Sequence, residues 1–446
     1  MSESSPRRVV ITGIGLISPL GNSPDELWQG LSEGRSGVSE IQGIDPSGLP
    51  TRFAAEARTF SGHIDNFGPL DPNQKKTIRK GLKVMCREIQ MGVAAAQLAL
   101  HHAGLKMGDY DVDRTGVVFG CDYIMTLPEE FAEGIRACTD GDGFHFGRWA
   151  EVGLRKVDPL WLLKYLPNMP ACHVAIYNDM RGPNNSITLR EASANLAVAE
   201  AFCTIARGSA DRMLSGAAGS RVHPLRTLHI VLQEEIATAA SAATPEIAAD
   251  PARWSRPFDR DRRGLILGEG AGVLVLEELG SALRRGTRIW GEVVGYGSST
   301  VADRDGVAHR GVALENAMVT ALRSAGLSPQ QVGHIHAHGL GTCSCDAEEA
   351  QALQRVFGDC SPAVPVTAAK GHFGNLGAAG GLVELIGSLL ALDRQQLFGI
   401  RNYESADAAC PLHAARTGMS PGDSFLNVNV SPVGQASAVV IRRYIA

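Results

Sequence analysis

Three stretches in the first half of the chain return, in the same order, in the second half. RRVVITGIG is echoed by RIWGEVVGYG. The helix–loop–strand pattern AAQLALHHAGLKMGDYDVDRTGVVFG is echoed by AMVTALRSAGLSPQQVGHIHAHG, with Ala103-Gly104-Leu105 matched by Ala325-Gly326-Leu327. SITLREASANLAVAEAF is echoed by VPVTAAKGHFGNLGAAGGLVELIGSLL, each a strand, a turn and a helix rich in small residues. Alternating helices and strands that recur this way predict two similar α/β halves. Their expected bounds are residues 1–280, with insertions, and 281–446. A chain of 446 residues is long enough for such a duplicated unit.

The helices that follow Glu191 and Leu376 are expected to be buried on every side. Between Ala192 and Ala206 only Ser193, Asn195, Glu200 and Thr204 are polar. A helix without a polar face belongs in an interior layer. One such helix per half predicts a helical layer sandwiched between two sheets.

The remaining signals are mostly exclusions. Gly13 and Gly15 give G-x-G without the third glycine of a dinucleotide loop. Ser23-Pro24-Asp25-Glu26 reads instead as a capping box with proline at the first helical position. No cofactor is expected. The nine cysteines include no CxxC, and the only close pair is Cys343 and Cys345, so no metal site is expected either. An odd, scattered set of thiols suits a reducing compartment. A net charge of −5 argues against nucleic acid. The start, MSESSPRRVVITG, has no apolar signal core, and the longest apolar run, Gly380–Leu392, is interrupted by Glu384. No membrane span and a cytoplasmic location are the expectations.

The opening VVITGIGLISPLGNSPDELWQGLSEGRSGV, the segment RPFDRDRRGLILGEGAGVLVLEELGSALRRG and the stretch HAHGLGTCSCDAEEAQAL together resemble one family. It is the β-ketoacyl-acyl-carrier-protein synthases, or ketosynthases, of the thiolase superfamily. The resemblance spans nearly the whole chain. It implies a duplicated thiolase-like α/β fold with five layers, αβαβα, and a dimer. It also implies acyl carrier protein as a partner and carbon–carbon condensation as the family activity, using a cysteine at a buried helix start and two histidines. Residue by residue, the cysteine falls on Glu191 in GPNNSITLREAS and the first histidine on His338 in HAHG. The second histidine, five residues after a lysine, falls on Asn375, counting from Lys370; His372 is the alternative. Glu349 matches a structural acid and Lys370 its partner. Ser431 and Pro432 replace a glycine-and-phenylalanine turn that supplies an oxyanion amide, and proline has no N–H to offer.

A helix N-terminus favours an ionised Glu191, while burial favours the neutral acid. A carboxylate is a poor substitute for a thiolate in acyl transfer. Three readings follow. The chain is a non-elongating, chain-length-factor-like companion of an active ketosynthase, as homodimer or heterodimer. Or it decarboxylates or hydrolyses thioesters with Glu191 and His338. Or Glu191 is structural and the protein is an acyl-chain or carrier-protein binding module. A nucleophile relocated to Cys203, Cys343 or Cys345 is a further option. The basic run QKKTIRKGLKVMCR reads as one helix carrying Lys75, Lys76, Arg79, Lys80, Lys83 and Arg87. The resemblance assigns Lys75 and Lys76 to carrier-protein docking.

Overall fold

The computed structural model describes residues 7–445; residues 1–6, read above as lacking a signal core, lie outside it. One mixed sheet of ten strands runs through the molecule. The strands are β1 (Val9–Ile17), β2 (Thr115–Cys121), β3 (Asn184–Thr188), β4 (Arg212–Ser220), β5 (Glu269–Glu278), β6 (Gly291–Thr300), β7 (His334–His336), β8 (Val366–Thr367), β9 (Ser424–Val430) and β10 (Gln435–Arg442). Their spatial order is β8-β7-β9-β10-β6-β1-β5-β4-β2-β3. From the β1–β6 seam outward the two sides match. Each has two antiparallel pairings followed by two parallel ones. The three sequence echoes occupy equivalent places: β1 with β6, β2 with β7, β3 with β8. The duplication therefore holds. The two half-sheets are not separate, however, because Val9–Ile11 pairs with Gly291–Val293 and joins them.

The main helices are α1 (Pro24–Ser32), α2 (Pro72–Gly81), α3 (Arg87–His102), α4 (Ser193–Ala206), α5 (Arg310–Ala325), α6 (Cys343–Phe357) and α7 (Gly380–Arg394). α3 covers the outer face of β1, β4 and β5, and α5 covers that of β6 and β10, with α6 packed on α5. α4 touches both half-sheets, β2 and β4 on one side and β6 and β10 on the other; α7 touches β5 and β9. These contacts make the five layers. Three apolar clusters fill them, one around α4 and α7 and one under each outer layer. As expected, α7 is buried from Gly380 to Leu392, but α4 is not buried on every side: Leu196, Glu200, Phe202, Cys203 and Ala206 are half-buried. Among the described residues no helix is long and apolar enough to cross a membrane.

Two local readings are explained by packing. Gly13 and Gly15 let β1 lie against α3: a Cβ on either would run into the α3 backbone at Ala99 and Ala95. Their spacing serves strand–helix contact. Ser23 caps α1 by accepting from the Glu26 amide at 3.2 Å, while Glu26 reaches back to the Asn22 amide at 2.8 Å. One reading needs correction. The basic run is not one helix: α2 is capped by Asp71 and gives way to a single 3-10 turn, and the chain is extended at Met85 before α3 begins. Arg87 consequently pairs with the buried Glu269, at 2.6 Å, and is half-buried.

Candidate functional site

The strand-to-helix junction that holds Glu191 is a short 3-10 turn, Arg190–Ala192, leading into α4. Arg190 has φ of 56°, the left-handed region. That costs a non-glycine residue about 1–2 kcal/mol, and it swings Glu191 into the interior. Ser193 then fixes the helix start, accepting from the Leu189 amide at 2.8 Å and donating to the Cys121 carbonyl at 2.9 Å.

Glu191 is 2% exposed. Its Oε1 accepts from the guanidinium of Arg221, which is entirely buried, and from Asn375 Nδ2 at 3.2 Å. Arg190 Nε stands 3.7 Å from Oε2. Burial alone would raise the carboxyl's pKa. The charges of Arg221 and then Arg190 outweigh it and hold the group well below the usual carboxylate range. The question left open by the sequence is thus answered in favour of the ionised form. The cause is a buried ion pair that no local pattern announced, not the helix terminus alone.

The pair belongs to a larger cluster. Asp122 accepts from Arg226, and Arg221 comes within 3.9 Å of it. Arg190 also donates to Gln233 Oε1 at 2.7 Å and to Glu234 Oε1 at 3.4 Å. Two further carboxyls are pushed up to about 7: Glu88 mainly by burial, and Glu234 by burial and then by the charge of Glu191. A raised carboxyl pKa means the folded chain holds a proton that the unfolded chain has lost. Stability must therefore fall as pH rises from the unfolded value, near 4.5, to about 7. For Glu88 the expected fall is on the order of 3 kcal/mol. Glu88→Gln should flatten that part of a urea-denaturation pH profile, and an unchanged slope would show that Glu88 is ionised throughout.

His338 follows β7 and is likewise buried. Its amide donates to Glu349 Oε1 at 2.6 Å, and that of Gly339 to Oε2 at 2.8 Å. The Lys370 Nζ donates to the His338 carbonyl at 2.6 Å. Lys370 and Asn429 Nδ2 both stand 3.3 Å from His338 Nδ1. Two donors at Nδ1 assign the ring proton to Nε2. Burial, then the Lys370 charge, pushes the ring pKa far below its ordinary value, so the imidazole is neutral.

The expected pairing of Lys370 with Glu349 is corrected by this geometry. Lys370 bridges to Glu384 at 2.5 Å, and Asn429 Nδ2 holds the other oxygen of Glu384 at 2.7 Å. Glu349 serves backbone amides instead. Asn429 accepts from Asn195 Nδ2 at 3.0 Å, so a polar chain runs from α4 through β9 to α7. A carboxylate inside an apolar helix has its explanation here: Glu384 balances Lys370.

Asn375 lies against Glu191, whereas His372 points away, toward the carbonyls of Arg35 and Gly399 at 3.1 and 3.4 Å. Ser431 is not brought to the cluster through its polar atoms. Its amide donates to the Gln435 carbonyl at 2.8 Å and its hydroxyl accepts from the Gln435 amide, closing the β9–β10 hairpin. Cys345 is buried and its thiol is pushed well above the usual value; Cys343 is exposed, with its sulfur 3.6 Å from the Arg262 carbonyl. Neither contacts Glu191 or Asn375. Lys75 is tied to Asp65 at 2.5 Å, while Lys76 is exposed. Sequence reading missed Arg221, Asp122, Glu384 and Asn429. Each is a lone polar residue on a segment distant in sequence, without a motif of its own. Among the described residues no group of three or more metal-ligating side chains occurs.

The family model for the beta-ketoacyl synthase N-terminal domain matches residues 6–282, and that for the beta-ketoacyl synthase C-terminal domain matches residues 290–404. A 3-oxoacyl-(acyl-carrier-protein) synthase 2 of Synechocystis sp. is 31% identical over 418 residues, 92% of each chain. One from Vibrio harveyi is 34% identical over 395 residues, 87% of this chain and 86% of the relative. Among solved structures, the ishigamide ketosynthase/chain length factor superposes with a TM-score of 0.81 at 28% identity, covering 99% of this chain and 100% of that one. A beta-ketoacyl synthase from Burkholderia phymatum gives 0.81 at 29%, covering 98% and 100%. Two family models in tandem, full-length relatives and the duplicated layered sheet agree: the chain belongs to the beta-ketoacyl synthase family.

Proposed function

We propose that this chain is a non-elongating member of its family, acting beside an active ketosynthase in the manner of a chain length factor. The observation that carries the reading is the Glu191–Arg221 ion pair. Glu191 stands where the resemblance places the nucleophile. As a carboxylate held ionised by two arginines it is a weak nucleophile and a weak base. This counts against the hydrolase reading, which needs Glu191 to take a proton near neutral pH. Asn375 offers no nucleophile in place of the thiol, and Nδ1 of His338 is occupied by Lys370 and Asn429. A ketosynthase/chain length factor stands among the similar structures, which supports the heteromeric form.

The surfaces support assembly. β3 is one edge of the sheet, and two of the segments preceding it carry exposed apolar side chains, Phe146 at 76% and Ile176 at 67% exposed. An unpaired edge with apolar flanks favours pairing with another chain. For the carrier protein, Lys76, Arg79 and Lys80 stand at i, i+3 and i+4 on α2, exposed and without a carboxylate partner among the described residues. Lys76→Glu with Lys80→Glu is expected to weaken carrier-protein binding roughly tenfold and to flatten its salt dependence. Lys75→Glu should do less, because Asp65 already neutralises Lys75. Equal effects from the two variants would reject this face.

The deciding experiment is an elongation assay. Purified alone with acyl and malonyl carrier protein, the chain is expected to yield no β-ketoacyl product above background. Co-expressed with a cysteine-bearing ketosynthase, it is expected to co-purify and to change product length. Turnover by the chain alone would overturn the reading.

A further inference from the structure

At the end of β4 successive side chains alternate sides, as strand geometry requires. Arg221 enters the Glu191 cluster. Ser220 and Val222, on either side of it, line a separate cavity of about 590 Å³. This volume falls within the range of small-molecule sites, about 300–1,000 Å³. The cavity lies on the α3 side of the sheet, between the start of that helix, the 42–60 segment and the 122–130 loop. Much of its wall is apolar, including Ile44, Phe60, Met85, Met125 and Val222.

The polar groups of the wall divide sharply by sign. Three of its acids are already satisfied. Glu56 accepts the amides of Gln42 and Gly43 at 2.9 and 2.7 Å, Glu130 holds Lys164 at 2.9 Å, and Glu269 holds Arg87. The fourth, Glu88, accepts from the Ser220 amide at 2.8 Å. Donors are left over. Lys83 lines the cavity, is exposed, and has no carboxylate partner among the described residues. His223 accepts from the Arg226 amide through Nδ1, so its proton lies on Nε2, which is buried and unpartnered among the described residues. Arg226, also in the wall, completes a donor-rich end. Buried donors without acceptors are costly and favour a ligand that supplies the acceptor.

We propose that this cavity is a second ligand site, on the opposite side of the strand end from Glu191 and sharing Glu88 and Arg226 with its cluster, and that it takes a small amphipathic anion: a hydrocarbon body with one carboxylate or phosphate head. The body packs against Phe60, Met85 and Met125. The head accepts from His223 and meets the charge of Lys83. An anion is preferred because every other cation of the wall already has an acid or carbonyl partner, and because charge-assisted hydrogen bonds are the stronger kind. The inference rests on this cavity alone and stands whether or not the chain elongates.

Isothermal titration of the full chain with decanoate, decyl phosphate, decanol and acetate tests it. One equivalent of a decyl anion is expected to bind, with decanol at least about tenfold weaker and acetate without saturable binding. Stronger binding of decyl phosphate or of decanoate identifies the head. Lys83→Glu, an exposed change that leaves the core intact, should weaken the anion about tenfold or more, and Met125→Trp should block it by filling the cavity. Decanol binding as tightly as decanoate, or anion binding unmoved by Lys83→Glu, would overturn the proposal.

Discussion

Glu191→Ala is expected to destabilise the protein by about 3–5 kcal/mol, among the largest losses a single side chain can cause. The reason is what remains behind. Arg221 is entirely buried, and two of its nitrogens, Nε and Nη1, already lack partners among the described residues. Without Glu191 the guanidinium keeps only Asp122, 3.9 Å away and already engaged by Arg226. Replacing both members, Glu191→Leu with Arg221→Met, should recover most of the loss, because similar apolar volume often substitutes for a buried pair without penalty. An exposed pair gives the scale: Asp25→Ala, which removes the partner of Arg394 at 2.6 Å, should cost at most about 1 kcal/mol. Urea denaturation of the three variants measures all of this. A Glu191→Ala loss no greater than that of Asp25→Ala would mean that Arg221 does not depend on Glu191.

The second large effect concerns activity. Glu191→Cys alone is expected to leave condensation undetectable, since Asn375 supplies no imidazole and the Ser431 amide is committed to its hairpin. Glu191→Cys with Asn375→His should exceed the single variant by about 10²–10⁴-fold, the range of a positioned acid–base group. The introduced thiol would sit beside Arg221 and Arg190, so alkylation should show it ionising below the free-thiol value of about 8.5. Full turnover from the single variant would show that Asn375 is not the position that limits the reaction.

What the sequence disclosed and what it hid follow from range. The duplication was legible because each repeat is a local pattern of strand, turn and helix, and the structure sets all three echoes at matching places in the sheet. Glu191, His338 and Asn375 were legible because motif spacing locates them, and the fold does bring Asn375 to Glu191. Their partners were not. Arg221 ends a strand with no mark of its own. Glu384 looked like an interruption in an apolar helix until Lys370 was seen beside it. Glu349, expected as a structural acid, was given the wrong neighbour, since spacing does not say whether a carboxylate meets an ammonium or two amides. The basic run failed for a different reason: helical periodicity of its charges concealed the break at Met85, and Arg87 was lost to Glu269.

The turns that open the two central helices, Arg190–Ala192 and Gly377–Ala379, pack against each other. Glu191 belongs to the first, and Asn375 lies two residues before the second. Had the two halves been identical polypeptides related by strict symmetry, whatever stood on one turn would have stood on both. A carboxylate there would have confronted its own copy across a dry interior, and like charges at such a distance cannot both ionise. Covalent fusion removes that constraint. One turn is free to carry an anion while the other offers an amide, and two arginines of the first half, Arg221 and Arg190, balance the charge. The asymmetry of this centre is a property that identical, strictly symmetric halves could not hold.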